Sequence, residues 1–238
     1  HPRLKAYDPA YAFEIAVIIQ EGVRRMYQEQ EDIFYYMTVE NENYAQPPMP
    51  EGAQVREHIL KGLYRFRASA RRDLELRANL LGSGAIMNEV LKAQQMLEEF
   101  GVAADAWSAT SYKELREDAL ETERWNMLHP GSKSRAPYVT RCFREHPGVV
   151  VAASDYVKAV PDSIAKWVPA RMVSLGTDGF GRSDSRAALR DFFEVDARFI
   201  TLATLFALAD EGAVDADVVA KALKKMKINP RKPDPMQA

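Results

Sequence analysis

Apolar residues recur at near-helical spacing at Phe13, Val17, Ile18, Val23 and Met26, a pattern that predicts an amphipathic helix of roughly four to five turns ending near Gln28. Asp8-Pro9 just ahead of it reads as a helix N-cap followed by a first-turn proline. Acidic and glutamine-rich residues then give way, over 33–39, to an unbroken run of strand formers that is too apolar for an exposed edge and predicts a buried strand. Asn41-Glu42-Asn43-Tyr44 and the prolines between Gln46 and Gly52 cannot extend that strand, because proline lacks a donor and asparagine favours turns. They predict a loop and then a linker between domains.

From about Val55 the pattern changes. Leu63-Tyr64-Arg65-Phe66-Arg67 alternates like a half-exposed strand, and a basic stretch follows from Arg67 to Arg77. Residues 74–81 predict a strand ending in Gly82-Ser83-Gly84, after which Ile86, Val90, Leu91, Met96 and Leu97 carry a helix to a stop at Gly101. A further strand is predicted over 102–108, a helix over 113–126, short strands over 149–153 and 171–175, and two helices over 198–226. Strands alternating with helices imply an α/β fold of three layers, a largely parallel sheet with helices on both faces. The proline-rich residues 229–238 predict a loose tail, and the absence of a fixed period excludes a solenoid.

Composition narrows the function classes. The 238 residues are 47% hydrophobic and 28% charged, as expected of a globular chain. Lys+Arg 32 against Asp+Glu 34 leaves a net charge of -2, which gives nucleic acid or an anionic membrane nothing to attract. The single cysteine, Cys142, excludes an internal disulfide and a thiolate metal cluster and fits a reducing compartment, the cytoplasm. The longest apolar runs fall far short of the ~20 residues that span a bilayer, and no leader pattern is visible. The chain opens on His1-Pro2-Arg3-Leu4 instead of Met, and reads as a piece of a longer protein.

Three segments carry candidate chemistry. Gly82-Ser83-Gly84 stands where a phosphate-binding turn would, but Met87 occupies the third glycine position and no acidic residue closes a second strand. A tight strand-to-helix turn is the better reading. Gly176-Thr177-Asp178-Gly179-Phe180-Gly181-Arg182-Ser183-Asp184-Ser185-Arg186 is the most unusual loop. Either Asp178, Arg182, Asp184 and Arg186 serve an active-site edge or a subunit interface, or the loop is held by its own Asp–Arg bonds ahead of a helix starting at Ser185. Asn41, Glu42, Asn43 and Tyr44 supply amides, a carboxylate and a phenol just beyond a strand, the donor set of a pocket at the carboxyl end of a sheet; a solvated loop is the other reading. His1, His58, His129 and His146 are too dispersed for a zinc pair or a catalytic dyad.

With Tyr7-Asp8-Pro9-Ala10-Tyr11, Tyr35-Tyr36-Met37-Thr38, Met49-Pro50-Glu51-Gly52 and Glu123-Arg124-Trp125-Asn126-Met127-Leu128-His129-Pro130, these segments resemble, in order and over nearly the whole chain, the C-terminal part of the homodimeric bacterial pyruvate dehydrogenase E1 component. The resemblance implies an enzyme that decarboxylates pyruvate on thiamine diphosphate with Mg2+ and reductively acetylates the lipoyl group of the E2 dihydrolipoamide acetyltransferase. It implies a cytoplasmic homodimer that engages neither nucleic acid nor membrane. By the same comparison residues 1–50 are the last helix and strand of a pyrimidine-binding domain, 51–56 a linker, 57–228 a transketolase-type C-terminal domain and 229–238 a tail.

The family's Gly-Asp-Gly motif with its distant asparagine, its cofactor-activating glutamate and its active-site histidines have no counterpart in these residues. The resemblance therefore assigns the cofactor and the metal to the upstream part of the protein, and implies no catalytic residue or metal ligand in this chain, which alone is expected to be inactive. The other reading is a dimerisation and scaffolding module without activity. Because the strand over 33–39 carries an apolar run with unpaired edges, the isolated chain is expected to self-associate or to stay bound to its complementary fragment. In the related transketolases the corresponding strand ends in a loop whose arginine binds a sugar phosphate. Asn41 stands at the approximate counterpart, in a run without any cation, where it would forgo a charge-assisted contact worth about 1.5–3 kcal/mol. Pyruvate has no phosphate to bind.

Overall fold

The computed structural model describes residues 3–52 and 54–237. It opens with a strand that the periodicity does not indicate: β1 (Leu4–Tyr7) pairs in parallel with β2 (Phe34–Met37), in register from Leu4 opposite Phe34 to Tyr7 opposite Met37. Helix α1 (Ala12–Val23) connects them and widens into a π-helical turn over Arg24–Gln28. Asp8 is not its N-cap. The cap is Tyr11, and Glu14 reaches back to accept from the amides of Ala10 at 2.5 Å and Tyr11 at 3.2 Å. Strand β2 is not buried on both faces either. Its Tyr35 and Met37 pack with Val17 and Ile18 of α1, whereas Phe34 and Tyr36 are 49% and 59% exposed on the face that α1 does not cover.

Helix α2 (Val55–Leu60) begins inside the interval expected to be a linker, where Ala53 lies outside the described residues. It leads into a five-stranded sheet built from β3 (Tyr64–Arg67), β4 (Leu76–Gly82), β5 (Val102–Ser108), β6 (Val149–Ala153) and β7 (Met172–Leu175). The order is β3-β5-β4-β6-β7, with every pair parallel except the antiparallel edge strand β3. Between the strands run α3 (Met87–Glu98), α4 (Tyr112–Leu128), α5 (Tyr138–Glu145) and α6 (Ala159–Asp162). After β7 come α7 (Arg186–Phe192), α8 (Ala197–Asp210) and α9 (Ala216–Lys225).

Because side chains alternate across a strand, neighbouring residues feed opposite cores. Leu80 and Val151 join the layer containing Val90, Leu97, Ile200 and Leu205 of α3 and α8. Leu81, Val150 and Trp107 join the layer containing Leu115, Val139 and Phe143 of α4 and α5. The N-terminal unit is locked to this sheet by Glu14, which is fully buried and also accepts from Tyr64 Oη at 2.6 Å and Ser108 Oγ at 2.7 Å. Burial pushes the Glu14 carboxyl up, against the pull of those four donors.

The residues after Asn229 form no regular element, but they are docked and not loose. Lys232 Nζ donates to the carbonyl of Phe192 at 3.0 Å and stands 4.7 Å from the centre of the Phe199 ring. A cation there satisfies carbonyls left open at the end of α7.

Candidate functional site at the carboxyl edge of the sheets

The carboxyl ends of β1, β2, β4, β6 and β7 converge. Main-chain bonds make the junction: Gly84 N donates to Asp8 O at 3.2 Å, and Asp8 N to Thr110 O at 2.8 Å. Gly84 adopts φ +51, and a Cβ there would come within 2.5 Å of Glu40 Oε1 and 3.1 Å of Asp8 Oδ1. Only glycine permits that approach. Glu40 in turn accepts from Ala85 N at 3.2 Å, so the anion position at this strand-to-helix turn is filled by a carboxylate of the chain itself.

The two loops singled out by composition meet at this edge. Glu42 is gripped bidentately by Arg190, at 3.1 Å from Nη1 and 2.5 Å from Nη2, and lies 3.5 Å from Arg186 Nε. Arg186 Nη2 also donates to Asn41 Oδ1. Arg190 is only 9% exposed and lies 3.7 Å from a second carboxylate, Glu89, whose other oxygen accepts from Ala197 N at 3.0 Å. The run that seemed to lack a cation thus receives two from a segment far along the chain. Ser185 caps α7, accepting from Ala188 N at 3.4 Å, and this presents Arg186 and Arg190 one turn apart on a single helix face.

The other candidates divide. Tyr44 Oη donates to the Ala10 carbonyl and its ring stands edge-on to Tyr11 at 6.3 Å, so it braces the start of α1. Asn43 is exposed. Asp178 accepts from Lys158 N at 3.3 Å, Asp184 from Ser185 N at 2.6 Å, and Arg182 lies over the Phe192 ring at 4.0 Å. Among the described residues no ion pair joins the aspartates of this loop to its own arginines. Gly179, at φ +98, lets the carbonyl of Pro235 pass where a Cβ would be 2.3 Å away, which ties the C-terminal segment to the loop.

Beside the second of these loops lies a cleft of about 210 Å³ lined by Asp155, Thr177, Arg182, Leu189, Arg190 and Phe193. Burial, reinforced by the negative charge of Glu40, pushes the Asp155 carboxyl up to about 7, with Arg190 opposing. Asp155, Glu40 and Arg190 escape the sequence reading. Asp155 lies two residues past the end of the strand read over 149–153, so the rule that sites gather at the carboxyl ends of strands would have found it; nothing local marks Arg190.

The diphosphate of thiamine diphosphate needs an anion cradle, and Mg2+ a near-octahedral oxygen set. Here the amides at the turn are already taken, Gly84 N by the Asp8 carbonyl and Ala85 N by the Glu40 carboxylate, and among the described residues no group of three or more His, Cys, Asp and Glu is placed to hold a metal ion. The residues present do not fit that group. His1 lies outside the described residues.

A mixed five-stranded sheet with a helical layer on each face is the architecture of transketolase-type domains. A Pichia stipitis transketolase mutant solved with fructose 6-phosphate superposes with a TM-score of 0.58 at 13% identity, covering 87% of this chain and 25% of that one. A split-gene transketolase described as an inactive beta4 tetramer gives 0.50 at 17%, covering 87% and 57%. At these identities the likeness is one of fold. The family described as Transketolase-like TK C-terminal domain matches residues 62–196, and the chain belongs to that family. Residues 1–47 match the Pyruvate dehydrogenase E1 component middle domain. Among curated relatives, the pyruvate dehydrogenase E1 component of Pseudomonas aeruginosa is 50% identical over 99% of this chain and 26% of its own length. That of Escherichia coli K12 is 45% identical over 100% and 26%, and that of Mycobacterium tuberculosis 44% over 96% and 25%. The chain therefore spans about a quarter of the length of these relatives. Among the described residues, no helix is long and apolar enough to cross a membrane.

Proposed function

We propose that the chain is the C-terminal part of a pyruvate dehydrogenase E1 component. The complete protein decarboxylates pyruvate on thiamine diphosphate with Mg2+ and passes the acetyl group to the lipoyl group of the E2 acetyltransferase, as a cytoplasmic homodimer. Residues 1–50 complete the pyrimidine-binding domain and residues 57–228 form the C-terminal domain, while the cofactor, the metal and the catalytic groups lie in the upstream part. The observation that carries this reading is the match of nearly the whole chain, at 43–50% identity, to E1 components of distant bacteria.

In this reading the edge built by Asn41, Glu42, Arg186 and Arg190 borders the substrate side. Arg186 holds the Asn41 amide and Arg190 holds the Glu42 carboxylate, so the loop leaving β2 reaches that side in one conformation. Replacing the last quarter of the Pseudomonas aeruginosa E1 with this chain is expected to give a dimer with cofactor-dependent pyruvate decarboxylation, while this chain alone gives none. A folded, dimeric chimera without turnover, or turnover by the chain alone, overturns the reading. In the chimera, Asn41→Ala is expected to raise the KM for pyruvate severalfold; unchanged KM and kcat would remove Asn41 from the substrate side.

A further inference from the structure

The opposite end of the five-stranded sheet holds a second concentration of chemistry. The basic stretch between β3 and β4 folds over the amino ends of β4 and β5, and a cleft of about 340 Å³ opens there. Its walls carry Arg65, Arg72, Arg77 and His146, against two acids, Asp105 and Glu145. Asp105 is already engaged, by Arg65 Nη1 at 3.0 Å and by Ser69 N at 2.8 Å. Arg77 is anchored by a bond from Nη2 to the Arg72 carbonyl at 3.1 Å, whereas the Arg72 side chain has no hydrogen bond or ion pair among the described residues.

His146 adds a neutral donor. Its Nδ1 lies 3.0 Å from Arg65 Nη1, which can only donate, so Nδ1 accepts and the proton resides on Nε2. Burial and the neighbouring Arg65 push its pKa down, with Asp105 opposing. The ring is fixed by its main chain and by Trp107. The His146 carbonyl accepts from Asn79 Nδ2 at 2.8 Å, and the imidazole stands edge-on to Trp107 at 5.2 Å. Nε2–H has no partner among the described residues.

We infer that this cleft binds a phosphomonoester, its phosphate held by Arg72 and Arg77 with Arg65 and His146 completing the set. Guanidinium forks match the geometry of phosphate oxygens, and three of them beside an N–H supply more donors than a lone carboxylate can accept. The body of the ligand has room in an adjoining groove of about 400 Å³, which shares Arg65 and His146 with the cleft. Lys61 and Arg141 flank the Tyr138 ring in that groove, at 5.2 and 5.7 Å. The site lies at the end of the strands remote from the edge described above and does not depend on the function proposed for that edge.

The test is a titration of the full 238-residue chain with inorganic phosphate at constant ionic strength, balanced with sodium chloride and followed by the ring resonances of His146. Saturable, phosphate-specific shifts are expected at millimolar concentrations. Arg72→Ala is expected to weaken them at least tenfold without moving the melting temperature in phosphate-free buffer, because that side chain supports nothing else. Shifts that chloride reproduces, or an Arg72→Ala variant that binds phosphate as the parent does, overturn the proposal.

Discussion

Two glutamates fasten the β1–α1–β2 unit and the loop after it to the larger domain, Glu14 to the five-stranded sheet and Glu42 to α7, in opposite surroundings. Glu14 is fully buried, and its carboxylate is satisfied by two amides just ahead of α1 and two hydroxyls from β3 and β5. Glu42 stands at the rim, where two guanidinium groups grip it and its side chain remains 20% exposed. A buried carboxylate held by neutral donors cannot leave without orphaning all of them. A pair at the rim, where Glu42 keeps part of its hydration, loses less when it is broken than a carboxylate sealed from water. The first joint therefore fixes how the unit sits on the sheet, and the second sets the conformation of the loop at the edge.

That contrast can be broken most severely from the inside. Glu14→Ala leaves Tyr64, Ser108 and two amides without an acceptor and is expected to lower stability by about 3–5 kcal/mol in urea unfolding, with Glu14→Gln retaining part of it. Arg190→Ala removes the bidentate partner of Glu42 and a buried cation beside Glu89, leaving them Arg186 and Lys92. A loss of about 2–3 kcal/mol is expected by the same measurement, since the Arg190 side chain is only 11% exposed.

Asp155 gives the same edge a pH dependence. Its carboxyl holds a proton up to about 7 in the folded chain and releases it near the ordinary aspartate value when unfolded. Folding thus takes up a proton between roughly pH 4 and 7, and the associated stability, complete below that window, is lost as pH rises through it. Asp155→Asn is expected to flatten this segment of the stability profile and to exceed the parent by about 1–3 kcal/mol at pH 8, with little difference at pH 4. The smallest effect belongs to Arg186→Ala, where the side chain is 49% exposed and the expected loss is under about 1 kcal/mol.

The α/β alternation is readable because each strand and helix of the larger sheet carries its own period, from Leu80 and Leu81 pointing to opposite cores to the Val90 and Leu97 face of α3. Strand β1 is not readable, because four residues with Lys5 among them carry no pattern and gain their form only from β2, which arrives about thirty positions later. Asp8-Pro9 imitates a helix start, while the real cap uses Tyr11 with Glu14. A local sign of this was present: Glu14 shares the apolar face of Val17 and Ile18, where a carboxylate needs dedicated donors. The edge is half legible. Asn41, Glu42 and Arg186 stand out by composition, yet what joins them is a pairing across 145 residues that no local spacing encodes.

The loop after β2 is held to α7 through Glu42 and Arg190. A double-mutant cycle on Glu42→Gln and Arg190→Gln, read by urea unfolding, tests it directly. A coupling of about 1.5–3 kcal/mol is expected between the two positions. A coupling within about 0.3 kcal/mol of zero would show that the two side chains act independently and that the edge is not built by this pair.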